Sequence, residues 1–184
     1  MSFRFALIAV AALALGSWQN VRAEDPPAAS QPAAQPVDYH KLKEIMPDKL
    51  GGQPRGKVEG QKVSAGAMVI SNAKAEYAPK ESADNAPHLD VEIVDYVATP
   101  AMAAGAAAWQ NIQIDNESDT GWEKTTKVAG NPAMESYKND ARQGEATVFV
   151  ASRFIVTLKT EKLSSDDFKK AVEELPLAKL AELK

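Results

Sequence analysis

The feature that most constrains this sequence is an apolar run, Ala146–Lys159, followed closely by an amphipathic pattern, Ser164–Leu175. β-Branched and aromatic residues dominate the run at both parities, which is typical of a strand covered on both faces. Its least apolar point, Ala151–Arg153, predicts a tight hairpin turn, although one long strand also fits the run. The second pattern predicts a helix with Phe168 and Leu175 on one apolar stripe, and such a stripe must pack on the sheet.

The chain divides into three predicted parts. A positive start and a short apolar run, Phe5–Leu15, predict a signal peptide over residues 1–23, cut after Ala23; a buried N-terminal helix is the alternative. Residues 24–37 are rich in Pro, Ala and Gln and predict a disordered linker. Residues 38–184 are then expected to form one globular domain. The style of the signal indicates a bacterial envelope, so we expect a periplasmic or secreted protein.

Composition narrows the possible partners. The chain has no cysteine, which excludes disulfides and a lipid-anchored cysteine. Residues 1–23 hold two basic and no acidic residues, so their removal changes the net charge from −4 to −6. An acidic domain without a basic patch argues against nucleic acid and anionic membrane surfaces as partners. No later run reaches transmembrane length, so no membrane span is expected after cleavage.

Four further strands and two further helices complete the predicted domain. Alternating or β-prone residues predict strands at 73–77, 89–93, 122–128 and 133–138. A capping Asp38 predicts a short helix ending at Met46, and Thr99-Pro100 predicts the start of another. The order is helix, two strands, helix, four strands, helix. It predicts an α+β fold, with an antiparallel sheet of about six strands and helices packed on it.

Two stretches are predicted as loops. Leu50–Lys62 contains four glycines and a proline, and Ile114–Gly121 is acidic. The first stretch contains Gly51–Lys57, which matches the start of a phosphate-binding loop. Val58 stands where that loop needs Ser or Thr, and no strand-then-helix pattern surrounds it, so nucleotide binding is not expected.

The second loop contains a weak calcium candidate. Asp115, Glu117 and Asp119 place hard oxygen ligands at alternate positions, with Gly121 nearby. The glycine falls one place later than in an EF-hand, and Thr126 stands where the bidentate glutamate belongs. We therefore expect an acidic surface loop, no tight calcium site and no cofactor.

Short motifs spread over Met46–Leu183 resemble a pattern found in uncharacterised exported bacterial proteins. The matching residues are Leu50-Gly51-Gly52 with Arg55, Ala73-x-Ala75-x-Tyr77, Val91-x-Ile93-x-Asp95, Gly121-Trp122-Glu123-Lys124, Gly130-x-Pro132-Ala133 and Arg153-Phe154. The layout also resembles the PsbP/Mog1-like fold, which packs helices around an antiparallel sheet. Neither resemblance brings a catalytic motif. What they imply is an exported accessory or binding protein.

Catalytic patterns are poorly represented. There is no Cys and no nucleophile elbow, and His40 and His88 are isolated. Paired carboxylates such as Asp90 and Glu92 fit the polar face of a strand. An envelope hydrolase using an unrecognised carboxylate pair remains one alternative function. A subunit or inhibitor that acts only in a complex remains another.

The two tryptophans of the predicted domain flank the acidic loop. Trp109 ends a predicted helix that also contains Met102, and Trp122 begins a predicted strand. Core packing is the simpler explanation for both, and a concave ligand site where helix meets sheet is the alternative. We therefore predict an exported, non-enzymatic binding or accessory protein. An unknown envelope protein or apolar ligand would contact Met102, Trp109 and Trp122.

Overall fold

The structure is a computed structural model that describes residues 34–66, 68–81, 86–109 and 111–183. The predicted signal peptide and most of the predicted linker lie outside these residues. Within them the strands are β1 (Lys49–Leu50), β2 (Gln53–Ala65), β3 (Met68–Tyr77), β4 (His88–Ala98), β5 (Asp115–Ser118), β6 (Gly121–Val128), β7 (Asn131–Lys138), β8 (Gln143–Val150) and β9 (Phe154–Glu161). The helices are α1 (Tyr39–Glu44), α2 (Pro100–Trp109), α3 (Ser165–Glu173) and α4 (Leu177–Ala181). None of these helices has the length and apolar character needed to span a bilayer.

All nine strands belong to one antiparallel sheet, in the order β1-β2-β3-β4-β9-β8-β7-β6-β5. The strands β1 to β4 form one meander and β5 to β9 form another. The two meanders meet where β4 pairs with β9, for example at Ile93 and Val156. Because β4 lies in the middle of the sheet and β5 at its edge, the chain must cross half of the sheet between them. Helix α2 begins that crossing.

One face of the sheet carries the main core. Side chains of alternate strand residues, such as Ile93 and Val156, pack here against α1, α3 and α4. We call this the helix face. The opposite face, the open face, carries the other parity of each strand. Its buried apolar cluster is small and lies under α2, where Tyr96 and Phe149 contact Ala106.

Helix α3 confirms the predicted amphipathic helix. The Ser164 hydroxyl accepts the backbone N–H of Asp167, which caps the helix. Hydrogen bonding from that hydroxyl lowers the pKa of the Asp167 carboxyl. The predicted stripe is buried, with Phe168 fully enclosed and Leu175 6% exposed. Gly144 permits this packing, because a Cβ there would lie 2.4 Å from the Phe168 ring.

The hairpin and the first helix are also confirmed. Strands β8 and β9 pair along their length, and the turn lies at Ala151–Arg153 as predicted. Asp38 caps α1 by accepting the backbone N–H of His40, which lowers the pKa of the Asp38 carboxyl. The chain before α1 already belongs to the fold, since Val37 is 4% exposed. Val37, predicted as the last residue of the disordered linker, is therefore part of the fold.

The predicted fold class, an α+β domain of about six strands with packed helices, is wrong. The protein is dominated by its sheet, with about 50% of residues in strands and 20% in helices. The three strands missing from the prediction are β1, β2 and β5, and all overlap the stretches predicted as loops. Strands β1 and β5 are the two edges of the sheet, and β2 lies next to the short strand β1. Edge strands carry less of the apolar alternation on which the prediction depended.

Local causes explain both misread stretches. Strand β2 contains Gly60 because α1 crosses it closely: a Cβ at Gly60 would lie 2.7 Å from the Tyr39 ring. The glycine therefore reports close packing, not a loop. Strand β5 is exposed at all four positions, so no covered face imposes a pattern on its sequence. The phosphate-loop resemblance also fails in three dimensions, because Gly51 and Gly52 lead into β2 and not into a helix.

Candidate functional site

Helix α2 lies on the open face and begins as predicted, with Pro100 at its first position. Six of its ten residues are Ala, and the others are Pro100, Met102, Gly105 and Trp109. Met102, Ala103 and Ala106 pack against an apolar floor made by Tyr96, Phe149 and Ile155. Tyr96 is 1% exposed, and burial raises the pKa of its phenol. Met102, predicted as a ligand contact, thus anchors the helix to the sheet.

The other sides of α2 are uncovered although they are apolar. Ala101, Ala104, Ala107 and Ala108 are exposed. Trp109 is 44% exposed, and Ile112 just beyond the helix is 42% exposed. The backbone N–H of Ile112 donates to the Trp109 carbonyl at 3.1 Å, so these two residues share one turn. A helix that is apolar all round is normally buried, so this exposure is the unusual property of α2.

A groove of about 540 Å³ adjoins this turn. One wall is the chain that leads from α2 into β5, with Ile112 and Ile114. The other wall is the end of β6, with Thr125 and Lys127, and Pro132 also lines the groove. Asp115 is the one carboxylate among its lining residues. The groove therefore combines apolar side chains with the polar end of a strand, and its lining contains no opposed pair of acids.

Trp122 lies on the helix face, away from α2. Its indole packs against the main core, with ring centroids 6.3 Å from Tyr137 and 6.0 Å from Phe168. The indole N–H donates to the Ser165 hydroxyl at 3.2 Å. The ammonium groups of Lys124 and Lys169 lie 5.0 and 5.5 Å from the ring. The sheet thus separates Trp122 from the helix that carries Trp109, and the two indoles do not share a groove.

The acidic residues proposed as weak calcium ligands lie at the β5 edge. Asp115 and Glu117 belong to the strand, Asp119 belongs to the following turn, and all three are exposed. Asn139 holds the turn, because its side-chain amide donates to the Asp119 carbonyl at 3.0 Å. Within the described ranges, no group of three or more His, Cys, Asp or Glu side chains is placed to hold a metal ion.

The histidines and paired acids considered above contact polar or charged neighbours in the structure. The His88 ring lies 3.5 Å from Asp90, whose other oxygen lies 3.2 Å from the Lys74 ammonium. A second groove, of about 410 Å³, is lined by Glu135 and Glu173. Glu135 is 6% exposed and lies 3.6 Å from the Lys124 ammonium, so it already has a partner of opposite charge. These arrangements suit structural ion pairs on a sheet.

Sequence reasoning missed two groups of this region. The sequence gives no sign that Ile112, Ile114 and Lys127 belong to one site, because the groove exists only where β5 separates from β6. The strand pattern Trp122–Val128 carried no sign of a free edge. The buried pair Asp95 and Arg153 was also missed, although both residues stood in the motifs quoted above. An acid inside an apolar strand, Val91–Ala98, was the available signal.

Comparison of this chain with protein-family models, with curated proteins and with solved structures finds no match.

Proposed function

We propose that this chain is an exported, non-enzymatic binding or accessory protein that recognises its partner with the outer surface of α2 and the groove beside it. We call this surface the α2 corner and define it by Trp109, Ile112, Ile114 and Pro132. Export rests on the signal sequence pattern of residues 1–23. The binding role rests on the exposure of Trp109 and Ile112.

Exposure of these two side chains is the observation that carries the proposal. Four large apolar side chains of the described residues are strongly exposed, and two of them, Trp109 and Ile112, share one turn beside a groove. Contiguous exposed apolar surface on a folded domain commonly marks an interaction site. Tryptophan is also among the residues that contribute most to binding energy at interfaces.

The chemistry of the groove supports binding over hydrolysis. A glycosidase needs two carboxylates that flank the scissile bond, with one on each side. Asp115 is the one carboxylate that lines the groove beside α2, and this residue is exposed at the sheet edge. Trp122 is not part of the α2 corner, because its indole packs on the opposite face of the sheet.

Site-specific photocrosslinking in the native envelope tests the proposal. A photoreactive residue at position 109 or 112 should form a crosslink to a defined partner, and the same group at Val63 should not. Val63 is a matched control because it is 44% exposed and apolar but lies on β2. With the identified partner purified, Trp109→Ala should weaken binding by more than about tenfold, in the range of an interface anchor. Equal crosslinking from all three positions, or unchanged affinity of Trp109→Ala, would contradict the proposal.

A further inference from the structure

Strand β5 leaves β6 before β6 ends. Regular pairing stops at Asp115 and Lys124. One more backbone bond follows, from the Thr125 N–H to the Ile114 carbonyl at 2.9 Å. The Ile114 N–H then turns to the Thr125 hydroxyl at 3.0 Å. Strand β6 continues to Val128, so its last three residues extend past their neighbour.

The backbone of Lys127 faces this gap. In an antiparallel sheet, the N–H and C=O of alternate residues point to the same side of the strand. Because the Thr125 N–H points toward β5, the N–H and C=O of Lys127 also point outward. If β5 continued in the same register, Ile112 would pair with Lys127. The Ile112 N–H instead donates to the Trp109 carbonyl. Among the described residues, no backbone group outside β7 forms a hydrogen bond with Lys127.

The side chains around the gap define what it would accept. Ile112, Ile114 and Pro132 offer apolar contacts, and the groove volume of about 540 Å³ is suited to a short segment. The Lys124 ammonium contacts Glu135 at 3.6 Å. Among the described residues Lys127 forms no ion pair, and its side chain is exposed and lines the groove. An occupant with a carboxylate next to Lys127 would match this charge.

We propose that the groove binds an extended peptide segment of the partner, which adds as a strand to β6 at Lys127. The segment places an apolar side chain between Ile112 and Pro132 and an acidic side chain beside the Lys127 ammonium. Strand addition satisfies exposed backbone groups and takes specificity from the pockets beside them. An edge lysine discourages pairing with unselected strands, so it also selects for an acidic partner. This inference rests on the proposed function of the α2 corner.

A displayed library of random linear seven-residue peptides provides the probe. Selection on the full mature protein should recover peptides with alternating apolar residues and at least one acidic residue. Lys127→Pro removes the outward N–H, which an edge strand tolerates, and should weaken a selected peptide by about tenfold or more. Lys127→Ala keeps the N–H and removes the charge, so its effect should be only about threefold. N-methylation of one central peptide amide should match the effect of Lys127→Pro.

The outcomes separate the two proposals. If Lys127→Pro unfolds the domain, the effect of N-methylating the peptide tests strand addition by itself. Suppose instead that binding depends on Trp109 and Ile112 and is unaffected by Lys127→Pro and by N-methylation of the peptide. That result would overturn strand addition and leave the proposed function of the α2 corner in place. Failure to select any peptide would also overturn strand addition. Selected peptides that need Lys127 but not Trp109 or Ile112 would instead contradict the α2 corner as defined.

Discussion

The guanidinium of Arg153 donates from Nε and Nη2 to one carboxylate oxygen of Asp95, at 3.0 and 2.8 Å. The same oxygen accepts the Val37 N–H at 2.8 Å, and the Arg153 Nη2 also donates to the Gln35 carbonyl. Asp95 is fully buried. The pair therefore joins β4, the β8–β9 turn and the chain that precedes α1.

Removing Arg153 should be more damaging than its position in a turn suggests. Arg153→Ala leaves the Asp95 carboxylate buried without its counter-charge, so we expect a loss of about 3–5 kcal/mol in the free energy of unfolding. Urea denaturation followed by circular dichroism measures it. Arg142→Ala is the control, since Arg142 is exposed in a neighbouring turn and should change stability by less than about 0.5 kcal/mol. Equal effects of the two variants would show that the buried pair is dispensable.

Substitutions in the β8–β9 turn should increase the stability of the domain. Ala151 and Ser152 have φ of 52° and 51°, and the Arg153 N–H donates to the Val150 carbonyl at 3.0 Å. Two successive positive φ values are typical of a type I′ turn, for which Asn-Gly is the preferred sequence. The double change Ala151→Asn and Ser152→Gly should raise the free energy of unfolding by about 1 kcal/mol. A lower midpoint in thermal unfolding would contradict this assignment of strain.

Phe168 and Gly144 should be energetically coupled. Phe168→Ala empties a fully buried site and should cost about 3–5 kcal/mol. Gly144→Ala should also destabilise strongly, because the added Cβ would meet the Phe168 ring at 2.4 Å. In the double variant the new methyl group enters the space left by the ring. A double-mutant cycle should therefore give a loss smaller than the sum of the single losses.

An additive cycle would mean that the Gly144 effect comes from backbone conformation. In that case α3 would dock without filling the space above β8.

The elements predicted from the sequence are those with one face buried in the core and the other face at least partly exposed. Strands β3 and β4 have one face on the core, so Ala73, Tyr77, Leu89 and Ile93 recur at alternate positions. Helix α3 shows its stripe for the same reason. Strands β2 and β5 lie near the two edges of the sheet, where exposure removes the pattern. Gly60 gave the wrong signal because a packing requirement has the same sequence signature as a turn.

The candidate site was harder to predict because it depends on which face of the sheet each element covers. The spacing of Trp109 and Trp122 is compatible with one shared groove. Their separation results from α2 packing on Tyr96 and Phe149, whereas Trp122 has the strand parity of the helix face. The free edge at Lys127 depends on the point at which β5 departs, and neither Ile114 nor Thr125 marks that point in the sequence.

Alkaline pH should destabilise the domain through Tyr77. Burial raises the pKa of its phenol from 10.0 to about 12, and the hydroxyl donates to the Pro47 carbonyl at 3.0 Å. Above pH 10 the unfolded chain loses this proton while the folded protein keeps it. The stability contributed below pH 10 is therefore lost as the pH rises toward 12. Tyr77→Phe should flatten the decline of unfolding free energy between these values. If Tyr77→Phe leaves the decline of unfolding free energy with pH unchanged, as measured by urea denaturation at each pH, Tyr77 is not the responsible group.

The last prediction contrasts the two tryptophans. Trp122→Ala removes an indole that packs on Tyr137 and Phe168 and donates to Ser165, so it should cost more than about 2 kcal/mol. Trp109→Ala removes a side chain that is 44% exposed, and its stability change should stay below about 1 kcal/mol. Fluorescence gives an independent reading in the mature protein. With Trp122 replaced by Phe, acrylamide should quench the remaining indole strongly. With Trp109 replaced by Phe, quenching should be weak. Strong destabilisation by Trp109→Ala would place its indole in the core and remove the anchor of the α2 corner.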